Sequence, residues 1–253
     1  MARVARRKSI TGIYHIIMRG INHQIIFEEE EDRIKLIETL EKYKKICGYK
    51  LYAYCLMENH LHLLLKIENE QMGTIMQRIC GSYVLWYNKK YGRIGHLFQE
   101  RFKSEPVEDD IYFLTALRYI FQNPVKASMV TEIQNYPWTN YKDYFNENNR
   151  TDFDFVLSLF HVNKEEAVKS FTEFVNQENN DKCIDISGSK QITDDDARRI
   201  IKKHFKIEHV TEIQNFDTNK RNACLRDLRE TYGLSIRQIE RLTGIGRGII
   251  QRM

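Results

Sequence analysis

The sequence predicts an α+β fold in which helices cover an antiparallel sheet. Segments rich in β-branched and aromatic residues alternate with segments whose apolar residues recur every three to four positions. Over residues 1–145 the resulting order is strand, helix, strand, strand, helix, strand, helix. This split βαβ order is typical of ferredoxin-like folds.

The first five elements follow directly from these patterns. Residues 12–18 predict a strand, and the apolar spacing of residues 32–48 predicts a helix that ends at a glycine. Residues 50–57 and 59–67 predict two further strands, and residues 71–91 a longer helix. Because residues 50–57 are apolar on both faces, we expect this strand to lie in the centre of the sheet.

The next strand lies within residues 97–107, and a helix follows it. Asp109 or Asp110 can accept hydrogen bonds from the unpaired N–H groups at the start of this helix. Pro124 disfavours helical geometry in the residue before it, so we expect the helix to end near Asn123.

The remainder of the chain is predicted to be helical, with one interruption. Residues 151–178, 193–204 and 219–231 have helical patterns, whereas residues 179–192 are polar, contain Gly188 and are the best candidate for a linker.

These patterns predict three parts. Residues 1–145 form the α+β domain, residues 146–192 a helical connector and linker, and residues 193–253 a helical domain. Within the last part, residues 235–253 predict a helix that Ser235 caps, a glycine turn and a short basic helix, which resembles a helix-turn-helix.

Composition limits the possible classes of protein. The 253 residues carry a net charge of +4, and no apolar run is long enough to span a bilayer or to serve as a signal peptide. The five cysteines form no C-x-x-C pair, so we expect reduced thiols rather than a zinc knuckle or a disulfide framework. A soluble cytoplasmic protein is the expectation, and the basic ends of the chain suit a polyanionic partner or simply ordinary solubility.

A pair of histidines is the first candidate for chemistry. His60 and His62 are separated by one residue on a predicted strand, so they point to the same side of the sheet. Imidazole is a good ligand for divalent metals, and two such ligands predict an open site that needs at least one more. The alternative is a pair of histidines that are half-buried and hydrogen-bonded on the sheet.

The helix that begins near Asp109 offers the missing groups. Tyr112, Ala116, Tyr119 and Asn123 share one stripe of this helix. The Asn123 amide oxygen could complete a metal site, and the Tyr119 hydroxyl beside it could act as a nucleophile. The alternatives are a buried tyrosine with a bonded hydroxyl and an asparagine at a helix end.

The motifs around these residues resemble those of a known family. The segments are Tyr14-His15-Ile16, Met18-Arg19-Gly20-Ile21-Asn22, Met57-Glu58-Asn59-His60-Leu61-His62-Leu63-Leu64, Leu97-Phe98-Gln99-Glu100-Arg101-Phe102-Lys103-Ser104, Leu117-Arg118-Tyr119-Ile120-Phe121-Gln122-Asn123-Pro124-Val125-Lys126-Ala127 and Tyr136-Pro137-Trp138. In order and spacing they resemble the one-tyrosine HUH (His-hydrophobic-His) transposases of the IS200-like type, specifically the REP-associated tyrosine transposases. Two positions differ: Glu58 stands where relatives often have proline, and Asn123 where other one-tyrosine transposases have glutamine.

The resemblance implies a reaction and a set of site residues. Mg²⁺ or Mn²⁺ would be bound by His60, His62 and Asn123, and Tyr119 would attack a phosphodiester of single-stranded DNA that contains hairpins. The products would be a 5′-phosphotyrosine and a free 3′-hydroxyl, so rejoining would need no ATP.

Further residues are candidates for DNA contacts. Arg19, Gln99, Arg101 and Lys103 fall in the segments shared with the family, and they are either DNA contacts or ordinary solvent-exposed residues. In the tail, Arg247 and Gln251 face outward from the predicted second helix and could bind duplex DNA. The tail could instead bind a protein or pack on the core.

Two other functions stay open at this level. One is a DNA-binding regulator that keeps the fold without catalysis, and the other is a metal-dependent nuclease that forms no covalent intermediate. The sequence also leaves open whether the protein is a monomer or a homodimer and whether Tyr119 acts in its own chain's site.

Overall fold

The chain divides into two units, one before and one after residue 186. The structure is a computed structural model that describes residues 6–146, 150–184, 194–232 and 234–252. The sequence-based boundary at residue 145 falls inside the first unit, because the helices of residues 153–176 pack on the same core as the preceding helix. Gly188 of the predicted linker lies outside the described residues.

The first unit has the predicted α+β order of elements, which the structure confirms. Its strands and helices are β1 (Ile13–Arg19), α1 (Glu30–Cys47), β2 (Lys50–Leu56), β3 (His60–Lys66), α2 (Met72–Lys90), β4 (Lys103–Val107), α3 (Asp110–Lys126), α4 (Asp143–Asn146), α5 (Phe153–Ser158) and α6 (Lys164–Asn176).

The sheet has the strand order β2-β3-β1-β4, and every neighbouring pair is antiparallel. One face carries Ile16, Leu63 and their neighbours against α1 and α2. The other face carries Ile13 and Leu64 against α3, α5 and α6. Since alternate residues of a strand point to opposite faces, β1 and β3 contribute to both cores.

The expectation that β2 is a central strand is wrong, because β2 lies at an edge of the sheet. Its outer backbone groups are nevertheless covered. The N–H of Tyr54 donates to Asn140 Oδ1 at 2.7 Å, the N–H of Leu56 donates to the Trp138 carbonyl at 2.9 Å, and the N–H of Leu51 donates to Asp152 Oδ2 at 2.8 Å. This cover explains why an edge strand has the apolar sequence of a buried one.

A buried carboxylate joins α1 to α2. Asp32 is fully buried, and its oxygens accept hydrogen bonds from Lys90 Nζ at 2.8 Å, the Tyr91 hydroxyl at 2.8 Å and the N–H of Glu29 at 2.9 Å. Burial alone would raise the pKa of Asp32, but these hydrogen bonds and the charge of Lys90 lower the pKa below its ordinary value.

Helix α3 begins as predicted, where the Asp109 side chain accepts a hydrogen bond from the N–H of Tyr112 at 2.7 Å. Its predicted end near Asn123 is wrong, since the helix continues through Pro124 to Lys126. The proline removes one backbone donor in the last turn, but its ring is buried and the N–H of Ala127 still reaches the Asn123 carbonyl at 2.9 Å. Burial of the last turn therefore outweighs the preference of a residue before proline for non-helical geometry.

A segment without regular secondary structure, residues 177–184, lies against α3; we call it the strap. The buried Gln122 amide donates to the carbonyls of Val175 at 2.8 Å and Gln177 at 2.9 Å. Arg118 forms a two-point contact with Asp181 at 2.7 and 3.0 Å. The strap is thus bound to the side of α3 that carries Arg118 and Gln122.

The second unit is helical, with its own apolar core. Its helices are α7 (Asp194–Phe205), α8 (Thr218–Glu230), α9 (Ile236–Thr243) and α10 (Arg247–Ile250). Ser235 caps α9 through the N–H of Gln238, and Gly244 adopts the left-handed conformation in the turn before α10, both as predicted. Across the described part of the chain, no helix is long and apolar enough to cross a membrane.

Asp32→Asn should lower the free energy of unfolding by about 1–3 kcal/mol, because a buried amide cannot accept all of the hydrogen bonds that the carboxylate accepts from Lys90, Tyr91 and the N–H of Glu29. A lowered pKa stabilises the folded state above the ordinary carboxyl pKa of about 4. We therefore expect this advantage of the wild-type protein to disappear as the pH falls through the folded-state pKa. Urea unfolding of both proteins between neutral and acidic pH measures the difference.

The matched control is Glu38→Gln in the exposed pair between Lys35 Nζ and Glu38 Oε2, which are 3.2 Å apart. This change should cost less than about 0.5 kcal/mol. Equal losses in the two variants would contradict a special role for Asp32.

Candidate active site

His60 and His62 lie at the start of β3 on the sheet face that α3 covers. Their ring centroids are 5.2 Å apart; His62 is fully buried and His60 is half-buried. Across the antiparallel pair, His60 is opposite Arg19 and His62 is opposite Ile17 of β1. The structure therefore brings the predicted pair together and places one predicted DNA contact beside it.

The neighbouring asparagine defines the tautomer of His60. Asn59 Oδ1 lies 2.7 Å from His60 Nδ1, and Asn59 Nδ2 donates to the His23 carbonyl at 3.4 Å. Because an amide oxygen only accepts hydrogen bonds, His60 Nδ1 carries the proton. The lone pair of His60 is therefore on Nε2, the form that binds a metal.

A third histidine, His15 of β1, lies behind His62. His15 Nε2 is 3.1 Å from His62 Nδ1, and both residues are fully buried. Burial lowers the pKa of His15 to about 3, and burial with the nearby His15 and His60 lowers the pKa of His62 well below its ordinary value. Both rings are therefore neutral at neutral pH, and His62 Nε2 has no hydrogen-bond partner among the described residues.

Tyr119 on α3 faces these histidines from its own chain. Its ring makes edge contacts with the rings of His15 and His62, at centroid distances of 5.9 and 5.8 Å. Only 8% of the residue is exposed. Lys126 Nζ lies 5.5 Å from the centroid of the same ring. The tyrosine that the helical spacing of α3 indicated therefore lies beside the histidine pair in the folded chain.

Asn123 lies one helical turn after Tyr119. Its Nδ2 donates to the Tyr119 carbonyl at 3.0 Å, so its Oδ1 is the side-chain atom that could bind a cation. Its role as a metal ligand stays a prediction.

Tyr112, on the same helix stripe, is engaged elsewhere. Its hydroxyl donates to the Glu105 carboxylate, and burial followed by this hydrogen bond raises the pKa of Tyr112. A phenol that is held by a carboxylate is a poor nucleophile. Tyr112 is therefore the weaker candidate for attack on a phosphorus atom.

The donor set suits an open metal site rather than a closed one. Within the described ranges, no group of three or more His, Cys, Asp or Glu side chains could hold a metal ion. A metal here would use His60, His62 and the amide oxygen of Asn123, and the buried, unpartnered His62 Nε2 is the atom that fits this role. The two imidazoles suit Mn²⁺ better than Mg²⁺, and phosphate oxygens would fill the remaining positions.

Three of the four predicted DNA contacts of the first unit line one groove, and the fourth, Arg19, is hydrogen-bonded to one of them. Arg19 Nε donates to Gln99 Oε1 at 3.0 Å, and Arg101 and Lys103 are exposed beside them. The groove of about 750 Å³ is lined by Gln99, Arg101 and Lys103 together with Arg6 and Arg7. Lys103 is opposite Ile17, which is itself opposite His62, so Lys103 and His62 lie on one face two strands apart, about 10 Å.

The predicted contacts of the second unit are at its surface. Arg247 is exposed and forms an ion pair with Glu240, and Gln251 is exposed after the end of α10. Their exposure is compatible with binding to DNA, and the ion pair already engages the Arg247 guanidinium.

The prediction from sequence missed His15, Asn59 and the two N-terminal arginines as site residues. His15, Ile17 and Arg19 alternate along β1, but only the register of β1 with β3 shows that this face meets His62. Asn59 directly precedes His60, and its hydrogen bond could have been proposed from that adjacency alone.

The chain is similar to known transposases in sequence and in fold. Residues 8–123 match the family model described as "Transposase IS200 like". A REP-associated tyrosine transposase of Haemophilus influenzae is 28% identical over 119 residues, which cover 41% of this chain and 67% of that protein. The solved structure of a REP-associated tyrosine transposase bound to a REP hairpin has a TM-score of 0.50 at 15% identity, covers 61% of this chain and 96% of its own, and shows the shared fold.

Gly20→Ala should destabilise the turn that supports Asn59. The N–H of Gly20 donates to the Asn59 carbonyl at 2.9 Å, and an added Cβ would lie 2.2 Å from the Gln24 carbonyl oxygen and 2.8 Å from Ile26 Cγ2. We expect a loss of about 1–3 kcal/mol in the free energy of unfolding, measured with urea.

Gly81→Ala is the matched control. Gly81 is exposed in the interior of α2, and nothing lies within 4 Å of an added Cβ. Alanine should stabilise the helix by about 1 kcal/mol. If both variants changed stability in the same direction, the close packing at Gly20 would not be the cause.

Proposed function

We propose that this chain, whose residues 8–123 belong to the IS200-like transposase family, cleaves and rejoins single-stranded DNA in a metal-dependent reaction with Tyr119 as the nucleophile. The observation that carries the proposal is the contact of the Tyr119 ring with His62 at 5.8 Å and His15 at 5.9 Å. A nucleophile and two neutral imidazoles thus converge on one face of the sheet.

In the proposed reaction, the Tyr119 hydroxyl oxygen attacks the phosphorus of a phosphodiester and loses its proton to solvent. The bond between phosphorus and the 3′ oxygen breaks, and that oxygen takes up a proton. The products are a 5′-phosphotyrosine and a free 3′-hydroxyl. Attack by a 3′-hydroxyl on the phosphotyrosine reverses the step and regenerates Tyr119 without ATP.

Chain residues would prepare this attack. His60, His62 and Asn123 would hold Mg²⁺ or Mn²⁺, which when bound would polarise the phosphodiester. An ordinary phenol has a pKa of about 10 and is mostly protonated at neutral pH. The Lys126 ammonium lies 5.5 Å from the Tyr119 ring centroid and would attract the negative charge that develops on the phenol oxygen during attack.

Because Tyr119 contacts the histidines of its own chain, we propose that one chain forms a complete site. The reaction would then need no second copy. This proposal concerns the site, and both a monomer and a homodimer are compatible with it.

The proposed substrate is single-stranded DNA that contains hairpins. The relative of known structure is bound to a REP hairpin. The groove of this chain supplies Gln99, Arg101 and Lys103. Arg19, which is hydrogen-bonded to Gln99, lies opposite His60. Cationic side chains in a groove favour a polyanionic strand. For the second unit, we propose that Arg247 and Gln251 bind duplex DNA through a helix-turn-helix formed by α9 and α10.

Tyr119→Phe should abolish a covalent protein–DNA adduct, because it removes the attacking oxygen and leaves the ring. The wild-type protein, incubated with a hairpin oligonucleotide and Mn²⁺, should give an adduct that survives denaturing electrophoresis. Cleavage by the variant without an adduct would instead support a nuclease that needs no covalent intermediate.

Tyr112→Phe is the matched control, since it removes the hydroxyl of the other tyrosine on the same stripe of α3. Its adduct should form as in the wild-type protein, because that hydroxyl is bound to Glu105. An adduct that Tyr119→Phe retains and Tyr112→Phe loses would reverse the assignment.

Arg101→Ala and Lys103→Ala should each weaken binding of a single-stranded hairpin oligonucleotide. If each side chain neutralises one phosphate, the slope of log affinity against log salt should decrease by about 0.7 per variant. Fluorescence anisotropy at several salt concentrations measures both quantities.

Lys45→Ala is the charge-matched control, because Lys45 is exposed on α1 outside the groove. It should leave the slope unchanged. Equal slopes for the Arg101, Lys103 and Lys45 variants would remove the groove from the proposal.

Arg247→Ala in the same titration should lower the affinity for a duplex and leave that for the single strand unaltered.

A further inference from the structure

We propose that His15 is a positioning residue that holds His62 with its Nε2 lone pair directed to the metal. This inference rests on the proposed function, since it assigns a role toward the metal that His60, His62 and Asn123 would bind. It adds a third histidine to the site, on a different strand.

The geometry joins His15 and His62 closely. The β1–β3 register pairs Ile17 with His62 and Leu64 with His15, so the two histidines are diagonal neighbours on one face. Their rings are stacked with centroids 5.4 Å apart and an interplanar angle of 25°, and His15 Nε2 is 3.1 Å from His62 Nδ1.

One hydrogen bond between two imidazole nitrogens has two possible arrangements. If His62 Nδ1–H donates to His15 Nε2, the lone pair of His62 is on Nε2 and can bind a metal. If His15 donates instead, His62 carries its proton on Nε2 and cannot. Only the first arrangement makes His62 a ligand, and it requires His15 as the acceptor.

The two metal-binding histidines then have matching supports. Asn59 Oδ1 accepts from His60 Nδ1 at 2.7 Å, and His15 Nε2 accepts from His62 Nδ1 at 3.1 Å. Both histidines present Nε2 as the donor atom to the metal. Partners that fix a ligand histidine in this way typically change metal affinity 10- to 100-fold when they are removed.

The first test measures Mn²⁺ binding by calorimetry. His15→Phe keeps a buried ring but removes the acceptor, so it should raise the dissociation constant about 10- to 100-fold. His15→Gln restores an acceptor near the position of Nε2 and should bind Mn²⁺ nearly as well as the wild-type protein. Equal weakening in both variants, or none in His15→Phe, would overturn the inference.

Tyr14→Phe is the matched control for a buried β1 ring that loses a hydrogen bond. Its hydroxyl accepts from the N–H of Ser9 at 2.8 Å, and its side chain lies on the opposite face of the sheet. Mn²⁺ affinity should be unchanged, and thermal unfolding of all variants shows whether a loss of binding reflects a loss of folding.

The second test needs neither a variant nor a metal. NMR spectra of the metal-free protein with ¹⁵N-labelled histidine should show His62 protonated at Nδ1. Protonation at Nε2 would overturn the role of His15 whether or not DNA is cleaved. Conversely, a correct tautomer and the expected Mn²⁺ affinities without any covalent adduct would leave His15 in place and reject the proposed function.

Discussion

The antiparallel register of β1 with β3 is the constraint on which the rest of the site depends. It places Arg19 opposite His60 and brings His15 within a hydrogen bond of His62. A shift of one residue would send every side chain of one strand to the other face, and the histidines of β3 would enter the apolar core beneath α1 and α2. The apolar residues on the opposite face of both strands therefore form the core and also fix the register that the site requires.

The site also requires polar rings inside an apolar layer. Imidazoles that are fully buried are costly unless they are hydrogen-bonded, and His15 and His62 meet part of this cost through each other. Helix α3 closes the layer with Tyr119, while its Gln122 and Arg118 bind Gln177 and Asp181 of the strap. One helix thus seals the core and carries the reactive hydroxyl, so its position cannot change without affecting both.

Local sequence signals predicted the order of elements, the cap at Asp109, and the turn at Gly244, because each depends on a few adjacent residues. The predictions were wrong where contacts between residues far apart in the sequence determine the structure. The apolar strand β2 lies at an edge that residues near Asn140 cover, and α3 passes Pro124 because its last turn is buried. The pairing of His15 with His62 was beyond prediction for the same reason. Periodicity identified Tyr119 and both histidines, whose chemical roles stay proposals.

The strap determines where this polypeptide can be divided. The family match ends at residue 123 and the predicted α+β domain ends at residue 145, so sequence alone would suggest cutting the chain at one of these two points. Such a fragment would leave the Gln122 amide without both of its carbonyl acceptors and Arg118 without its carboxylate. A fragment that keeps the contacts of the first unit should therefore extend through residue 184, whose N–H donates to Glu105, about sixty residues beyond the end of the family match.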